Sequence, residues 1–240
     1  MSCTIISNFI DNYLKTMYNQ KEQTYKGVII MKSIITIGRE FGSNGHKIGE
    51  ELAKSLNIPF YDKEILTRAS KESGMCEDIF DNNDEKKTGS FLFSLVVDSN
   101  YIGFNSGFGS SGELPISQRV FIAQFDAIKH LAEEGPCVIV GRCSDYVLED
   151  NPNVINIFIH SDLETRCKTV MERDNLPEKK AIESVVKHDK ERMSYYNYYT
   201  NNKWGDASNY HLTIDSGVLG IEGSVAVIKA CIEEIEKNRA

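Results

Sequence analysis

A glycine-rich segment at residues 38–47 carries the residue types best suited to holding a phosphate group. It follows an apolar run at residues 34–37 and precedes apolar residues at helical spacing, and its glycines are Gly38, Gly42 and Gly45. A strand that turns at glycines and continues as a helix directs several backbone N–H groups and the positive end of the helix dipole at one point. The pattern therefore predicts a nucleotide-phosphate site, and the alternative is a simple turn that uses glycine for positive φ.

The segment departs from the phosphate-loop pattern G-x-x-x-x-G-K-[ST]. Counted from Gly38, Ser43 occupies the second glycine position and Asn44 the lysine position, and a lysine follows only at Lys47. The lysine of that pattern reaches the terminal phosphates of the nucleotide. Its displacement leaves phosphate binding better supported than catalysis.

Four arginines are further candidates for phosphate contacts, because a planar guanidinium group binds phosphate oxygens through paired hydrogen bonds. Each falls at or just beyond an element expected to face the same edge of the fold: Arg39, Arg68, Arg119 and Arg142. Any one of them would also fit a solvated surface. Arg142 is the exception, since an arginine directly after a buried strand and a glycine has few structural reasons to be there.

A second basic region lies in the last third of the chain. Basic and acidic side chains alternate there: Lys187, Asp189, Lys190, Glu191 and Arg192. The pattern predicts either a solvated helix with pairs such as Lys187 and Glu191, or a lid that closes over phosphates and excludes water. The aromatic residues that follow, at 195–204, favour packing or a contact between two copies of the chain over a base-stacking platform.

Apolar runs and helical patterns alternate along the chain, which predicts a parallel sheet with flanking helices. The later predicted strands lie at 137–140, 154–159 and 211–215, and further predicted helices at 63–73, 116–132 and 221–236. Asp62 is the expected N-cap of the helix at 63–73, and Ser161 with Glu164 forms a predicted capping box. Ligands of such sheets bind at the carboxyl ends of the strands, which places the glycine segment, Gly141 and Arg142 on one edge.

Composition excludes several classes of function. A chain of 240 residues with 41% hydrophobic residues suits one α/β domain. Its net charge of −8 disfavours nucleic acid as a partner, because affinity for the nucleic-acid backbone comes from clustered Lys and Arg. The six cysteines and five histidines show no metal-binding or disulfide spacing, so no metal ligand is predicted and a cytoplasmic location is expected.

The start of the chain differs from the rest. Residues 5–17 have apolar side chains at helical spacing but lack the features of a signal peptide. No apolar run approaches the roughly 18 residues of a membrane span, so no membrane partner is expected. Because Met31 directly precedes the first strand, residues 1–31 are expected to be an N-terminal extension, either an added helix or a misassigned start, and residues 32–240 the domain.

Four blocks together resemble the cytidylate kinase-like family of P-loop proteins, from about Lys32 to the C-terminus. The blocks are IITIGREFGS from residue 34, FYDKEIL from residue 60, VIVGRCSDY from residue 138, and DKER from residue 189 with YYNYYT and KWGD after it. The resemblance implies an α/β fold of the P-loop NTPase type, a parallel sheet flanked by helices with acceptor-binding and lid insertions. It also implies transfer of the γ-phosphoryl group of ATP to CMP or dCMP, with Mg²⁺.

The resemblance also suggests roles for individual residues. The family's acceptor motif aligns with residues 62–68 and its Gly-Arg-Asp motif with residues 141–143, where Cys143 replaces the aspartate unless Asp145 substitutes for it. We expect ATP binding by Gly38, Gly42, Ser43, Asn44, Gly45, His46 and Lys47. We expect acceptor binding by Asp62, Arg68, Arg119, Gly141, Arg142 and Asp189. The expected catalytic residues are Arg39, Lys47, Arg142, Lys190 and Arg192.

Two functions from different classes stay open at this point. One is a nucleoside monophosphate kinase with a small-molecule acceptor, in which Lys47 replaces the missing loop lysine. The other is a nucleotide-binding sensor or interaction module that has lost phosphoryl transfer. The displaced lysine favours the second function, whereas arginines at both the donor and the acceptor end favour the first. A homodimer is compatible with either.

Overall fold

The computed structural model describes residues 31–83 and 114–239. The strands are β1 (Ile34–Arg39), β2 (Phe60–Tyr61), β3 (Val138–Val140), β4 (Val154–His160) and β5 (Leu212–Asp215). The helices are α1 (Gly45–Leu56), α2 (Glu64–Ser73), α3 (Glu77–Asn83), α4 (Ile116–Glu133), α5 (Ser144–Val147), α6 (Leu163–Asp174), α7 (Glu178–Thr200) and α8 (Ser216–Arg239), with a short 3-10 helix at Ala207–Asn209.

All neighbouring strands run parallel, in the order β2-β3-β1-β4-β5. The central strands are mostly apolar because helices cover both faces of the sheet, and the polar pair of Thr36 in β1 and Asn156 in β4 is joined by a hydrogen bond of 2.7 Å. One face packs against α1 and α8 around Ile37 and Ile157, and the other packs against α2 and α4 around Ile139. The predicted parallel α/β sheet with flanking helices is thus confirmed.

Two long insertions between strands contain five of the described helices. The segment between β2 and β3 contains α2, α3 and α4, and the segment between β4 and β5 contains α6 and α7. The helix α7 is continuous over 23 residues. Its C-terminal part packs on α4, where the rings of Tyr199 and Phe121 stack with centroids 4.0 Å apart.

The described helix ends differ from the predicted caps at two places. Asp162, not Ser161, is the N-cap of α6, and its carboxylate accepts the Thr165 N–H at 2.9 Å. Lys63, not Asp62, precedes the first residue of α2, so the Asp62 carboxylate is left for another contact. The last helix begins at Ser216 and is interrupted at Gly220, whose φ of +65° is not helical.

The C-terminus of α8 holds the start of β1. Glu236 accepts hydrogen bonds from the backbone N–H groups of Lys32 and Ser33, at 3.0 and 2.8 Å. None of the described helices is long and apolar enough to cross a membrane. The predicted helix at residues 5–17 lies outside the described part of the chain.

Candidate functional site

The glycine loop joins β1 to α1 at the carboxyl edge of the sheet. Gly42 has a φ of +83°, and a Cβ there would lie 2.7 Å from the backbone oxygen of Arg166. A Cβ on Gly45 would lie 2.5 Å from the Cβ of Arg39. Both positions therefore require glycine. Gly42 needs it for its positive φ and for the lack of space around a Cβ, and Gly45 needs it for the lack of space alone.

Ser43 fastens the loop to the neighbouring strands. Its hydroxyl donates to the backbone oxygens of Glu40 at 2.9 Å and Ile159 at 3.3 Å. Its own carbonyl accepts the hydroxyl of Ser216 at 2.7 Å, just beyond β5. Ser43, at the second glycine position of the standard phosphate-loop pattern, therefore links the loop to the ends of β4 and β5.

The N-terminus of α1 is not capped by the residue before it. Asn44 is left-handed, with a φ of 60°, and its side chain makes no capping hydrogen bond. The first N–H groups of a helix have no partners within the helix and carry the positive end of its dipole. This helix start is therefore suited to a phosphate, which supports the loop's predicted ligand class.

Arg142 is held inside the turn after β3. Its Nη1 donates to Asp62 Oδ1 at 2.6 Å and to the backbone oxygen of Val140 at 3.3 Å, and its side chain is 2% exposed. Three consecutive residues in this turn have positive φ, with 77° at Gly141, 52° at Arg142 and 56° at Cys143. That conformation costs a non-glycine residue roughly 1–2 kcal/mol, so the backbone of this turn is strained while the Arg142 side chain is held by its buried ion pair.

Asp62 connects this turn to the glycine loop. Its second oxygen, Oδ2, lies 3.3 Å from Nε2 of His46, the second residue of α1. Burial alone would raise the pKa of Asp62, but the charges of Arg142 and Arg39, the hydrogen bond from Arg142 and the charge of His46 bring it below its usual value. Asp62 therefore stays ionised between the glycine loop and the turn after β3.

Three of the predicted arginines meet in one cleft. Arg39, Arg142 and Arg192 line it together with Gly38 and Gly141. Arg192 also donates to the backbone oxygen of Arg39 at 3.3 Å, so α7 contributes a basic group beside the end of β1. These residues come from β1, the turn after β3 and α7, elements far apart in the sequence.

Sequence reasoning missed much of the wall of this cleft. It is completed by Cys143, Ser144, Asp145, Tyr195, Tyr196, Trp204 and Tyr210. The Tyr196 hydroxyl donates to Asp145 at 2.6 Å, and burial raises the pKa of Asp145. The sequence indicates Asp145 only as a substitute for the aspartate that Cys143 replaces. Nothing in the sequence pairs it with Tyr196, 51 residues away.

The tyrosine-rich end of α7 is packing rather than an open stacking platform. Tyr195, Tyr196 and Tyr199 are buried in one aromatic cluster with Phe121. The Tyr195 hydroxyl donates to Gln124 of α4 at 3.2 Å. The interpretation of this segment as packing agrees with its contacts.

Three further predicted residues lie at exposed positions. Lys47 is exposed on the first turn of α1, and Arg119 is exposed on the first turn of α4. Lys190 is exposed on α7. The nearby pair of Lys187 and Glu191 forms as predicted for a solvated helix, at 4.0 Å.

Arg68 and Asp189, both predicted to bind the acceptor, have other partners. Arg68 is on the surface of α2, where it pairs with Glu72 and, at 2.8 Å, with Glu134 just before β3 begins. Asp189 binds the glycine loop itself, accepting the Phe41 N–H at 2.7 Å. Neither residue is among those that line the cleft.

Within residues 31–83 and 114–239, no group of three or more His, Cys, Asp or Glu side chains is arranged to hold a metal ion. The cleft is instead defined by positive charge. Three arginines lie beside a glycine loop at the carboxyl edge of a parallel sheet, an arrangement whose positive charge and hydrogen-bond donors suit phosphate groups.

Known proteins of one kind are similar to this chain in sequence. A cytidylate kinase of Methanocaldococcus jannaschii is 24% identical over 110 residues, which are 45% of this chain and 61% of that protein. A cytidylate kinase of Methanococcus vannielii is 26% identical over 137 residues, 56% of this chain and 72% of that protein. The chain spans about 60% of the length of most of the curated relatives that it matches.

A solved structure extends the likeness to the whole fold. The crystal structure of an uncharacterized protein from Eubacterium ventriosum is 33% identical, with a TM-score of 0.62, and the alignment covers 84% of this chain and 99% of that one. Residues 34–218 match the sequence model of the cytidylate kinase-like family, from the first residue of β1 into α8. On the strength of that match, the chain belongs to the cytidylate kinase-like family.

Proposed function

We propose that this protein is a nucleoside monophosphate kinase-like phosphotransferase that moves the γ-phosphoryl group of ATP to CMP, dCMP or a related acceptor. The observation that carries the proposal is the meeting of Arg39, Arg142 and Arg192 in one cleft beside the glycine loop. Phosphoryl transfer asks a protein mainly for positioning and for positive charge around the transferring group. Membership of the cytidylate kinase-like family supports the same reaction class.

The loop fits the phosphates of ATP. Side chains are excluded at Gly42 and Gly45 by close contacts, and the N-terminus of α1 is uncapped by Asn44. Backbone N–H groups of residues 44–47 would bind the phosphate oxygens. Mg²⁺, which supplies charge neutralisation when bound, would be held largely by phosphates and water, because it favours such sites and the described residues provide no carboxylate cluster.

The acceptor is assigned to the side of the cleft formed by the turn after β3. Arg142 would bind the acceptor phosphate, and Asp62 would hold Arg142 in place, with Gly141 allowing close approach. Arg119, exposed at the start of α4, is a further candidate for binding the acceptor. No general base is required, because the acceptor phosphate is already an anion.

A sensor that binds nucleotide without transferring phosphate is the second candidate. Asn44 occupies the position of the loop lysine. Lys47 is exposed and is not among the residues that line the cleft. A binding module would keep the loop and tolerate this loss. Retention of arginines from three separate elements favours the kinase.

A coupled ADP-release assay separates the two functions. It should be run with Mg-ATP over a panel of nucleoside monophosphates and small-molecule acceptors, beside calorimetric binding of ATP. The kinase predicts acceptor-dependent ADP release that disappears in Arg142→Ala. ATP binding without acceptor-dependent release, over the whole panel, would favour the sensor.

Lys47 provides a sharper test within the kinase proposal. If its charge acts only in the transition state, Lys47→Ala should retain ATP affinity and lose roughly 10²-fold in turnover. Lys54→Ala, near the other end of α1, is the matched control and should leave both unchanged. Unchanged turnover in Lys47→Ala would remove Lys47 from the mechanism and move attention to Arg39.

A further inference from the structure

The carboxylate of Asp189 is shared between the glycine loop and a buried arginine. Its Oδ1 accepts the Phe41 N–H at 2.7 Å, and its Oδ2 accepts Nη1 of Arg166, a residue of α6. Both side chains are largely shielded from water, with 16% of Asp189 and 10% of Arg166 exposed. Such charge-assisted hydrogen bonds are stronger and more directional than those between neutral groups.

Arg166 binds the same loop from a second direction. Its Nη1 also donates to the backbone oxygen of Phe41 at 3.3 Å, and its Nε donates to the backbone oxygen of Ser161 at 3.0 Å. Nε lies 3.3 Å from the carboxylate of Glu40, which in turn accepts the Ser161 N–H at 3.1 Å. Both backbone polar groups of Phe41 are therefore bound by side chains of the insertion between β4 and β5.

The ring of Phe41 is held by the same insertion. It stacks on His188 of α7, with centroids 4.0 Å apart and planes 6° from parallel. The guanidinium of Arg173, in α6, lies 4.8 Å from the ring centroid. Backbone and side chain of this loop residue thus have contacts with both α6 and α7.

We propose that Asp189 and Arg166 are positioning residues, which fix the glycine loop to the α6–α7 insertion in the shape that binds the donor phosphates. This inference rests on the proposed function, since the donor is taken to be ATP. It gives Asp189 a role through the loop instead of direct contact with the acceptor. It also implies that α7 and the loop respond together to the donor nucleotide alone.

Calorimetry with Mg-ATP tests the proposal in Asp189→Asn, Arg166→Gln and the double variant. Each single variant should weaken ATP binding about 10-fold, and the double variant by about the same factor, because the two residues act as one unit. In steady-state assays the KM for ATP should rise while kcat at saturating ATP changes little.

Glu191→Gln, which changes an exposed carboxylate on the same helix, is the matched control and should bind ATP normally. Arg166→Lys keeps the charge without the guanidinium fork and should bind ATP with intermediate affinity.

Hydrogen exchange at the Phe41 amide, without nucleotide, separates failure of this inference from failure of the proposed function. Asp189→Asn should exchange this amide at least about 10-fold faster than Glu191→Gln does, even if the wild-type protein binds no ATP. Unchanged exchange at Phe41 would overturn the inference. So would normal ATP affinity in folded Asp189→Asn, or additive losses that make the double variant about 100-fold weaker.

Discussion

Arg142 and Arg68 carry the same side chain but lie in opposite surroundings. Arg142 follows β3 directly and is buried against Asp62 at the carboxyl edge of the sheet. Arg68 is partly exposed and pairs with Glu72 and with Glu134, which precedes β3 at the opposite edge. Arg142 is thus fixed at the carboxyl edge by the strand that precedes it, whereas Arg68 lies on the solvated surface of a helix.

Helix geometry explains the difference. A helix advances 1.5 Å per residue, so six residues along the chain from Asp62 carry Arg68 about 9 Å away from the edge where β2 ends. Arg142 has no such freedom, because only a left-handed glycine separates it from a buried strand. Position directly after a central strand therefore fixes an arginine at the carboxyl edge of the sheet, where ligands of such sheets bind.

The largest expected effect is on the acceptor. Arg142→Ala should reduce acceptor kcat/KM by about 10³-fold, and Arg142→Lys nearly as much, because an ammonium group cannot reproduce two parallel hydrogen bonds. Arg68→Ala should stay within about threefold of wild type, since a surface ion pair contributes little. Steady-state kinetics with varied acceptor at saturating ATP measures both. Equal losses in the two variants would break the comparison, and equal damage to ATP and acceptor parameters would place Arg142 between the substrates.

A smaller effect is expected when the acidic partners are removed. Asp62→Asn leaves the buried Arg142 without its counter-charge and should lower the free energy of unfolding by about 3 kcal/mol. Glu72→Gln, which alters the exposed pair of Arg68, should unfold like the wild type. Urea denaturation at neutral pH compares them. A loss in Glu72→Gln as large as that in Asp62→Asn would contradict the contrast between buried and surface pairs.

The smallest expected effect concerns pH and a buried carboxylate remote from the cleft. Burial would raise the pKa of Glu236, but hydrogen bonds from Ser33 and Lys32 and the charge of Arg239 bring it below its ordinary value of 4.5. A lowered pKa contributes stability that is fully present above the unfolded value and is lost as pH falls through the folded value. Below about pH 4.5, wild type should therefore lose about 1–2 kcal/mol of stability that Glu236→Gln does not lose.

Thermal unfolding between pH 6 and pH 3 checks this prediction. Glu234→Gln, an exposed change on the same helix, should follow the wild-type curve. A Glu236→Gln curve with the same acid dependence as wild type would show that the contact of Glu236 with Lys32 and Ser33 does not stabilise the fold through its charge.

The sequence predicted the sheet better than it predicted the site. Runs of mostly apolar residues mark buried parallel strands, so the predicted bounds of β3 and β4 agree with the structure to within one residue at each end. Helix ends were less certain, because several polar residues compete for each cap. Asp162 caps α6 because its side chain reaches the Thr165 N–H, whereas the backbone of neighbouring Ser161 binds Glu40.

Contacts between distant residues account for what the sequence did not predict. The pair of Asp145 and Tyr196 joins α5 to α7, and the pair of Arg166 and Asp189 joins α6 to α7. No local period or spacing reports such pairs, because each depends on how α7 packs against residues that are distant in the sequence. Arg142 was identifiable from sequence since its position needs only β3 and one glycine.

The most direct test of the central claim is a rapid-quench measurement with γ-labelled ATP and CMP, in wild type and in Arg142→Ala. If the cleft of Arg39, Arg142 and Arg192 holds donor and acceptor phosphates together, label should pass to the nucleoside diphosphate in a single turnover of wild type and be absent from it in Arg142→Ala. The same experiment is repeated with dCMP and the wider acceptor panel. Bound ATP whose label appears only as inorganic phosphate or stays on ATP, with every acceptor, would contradict the account.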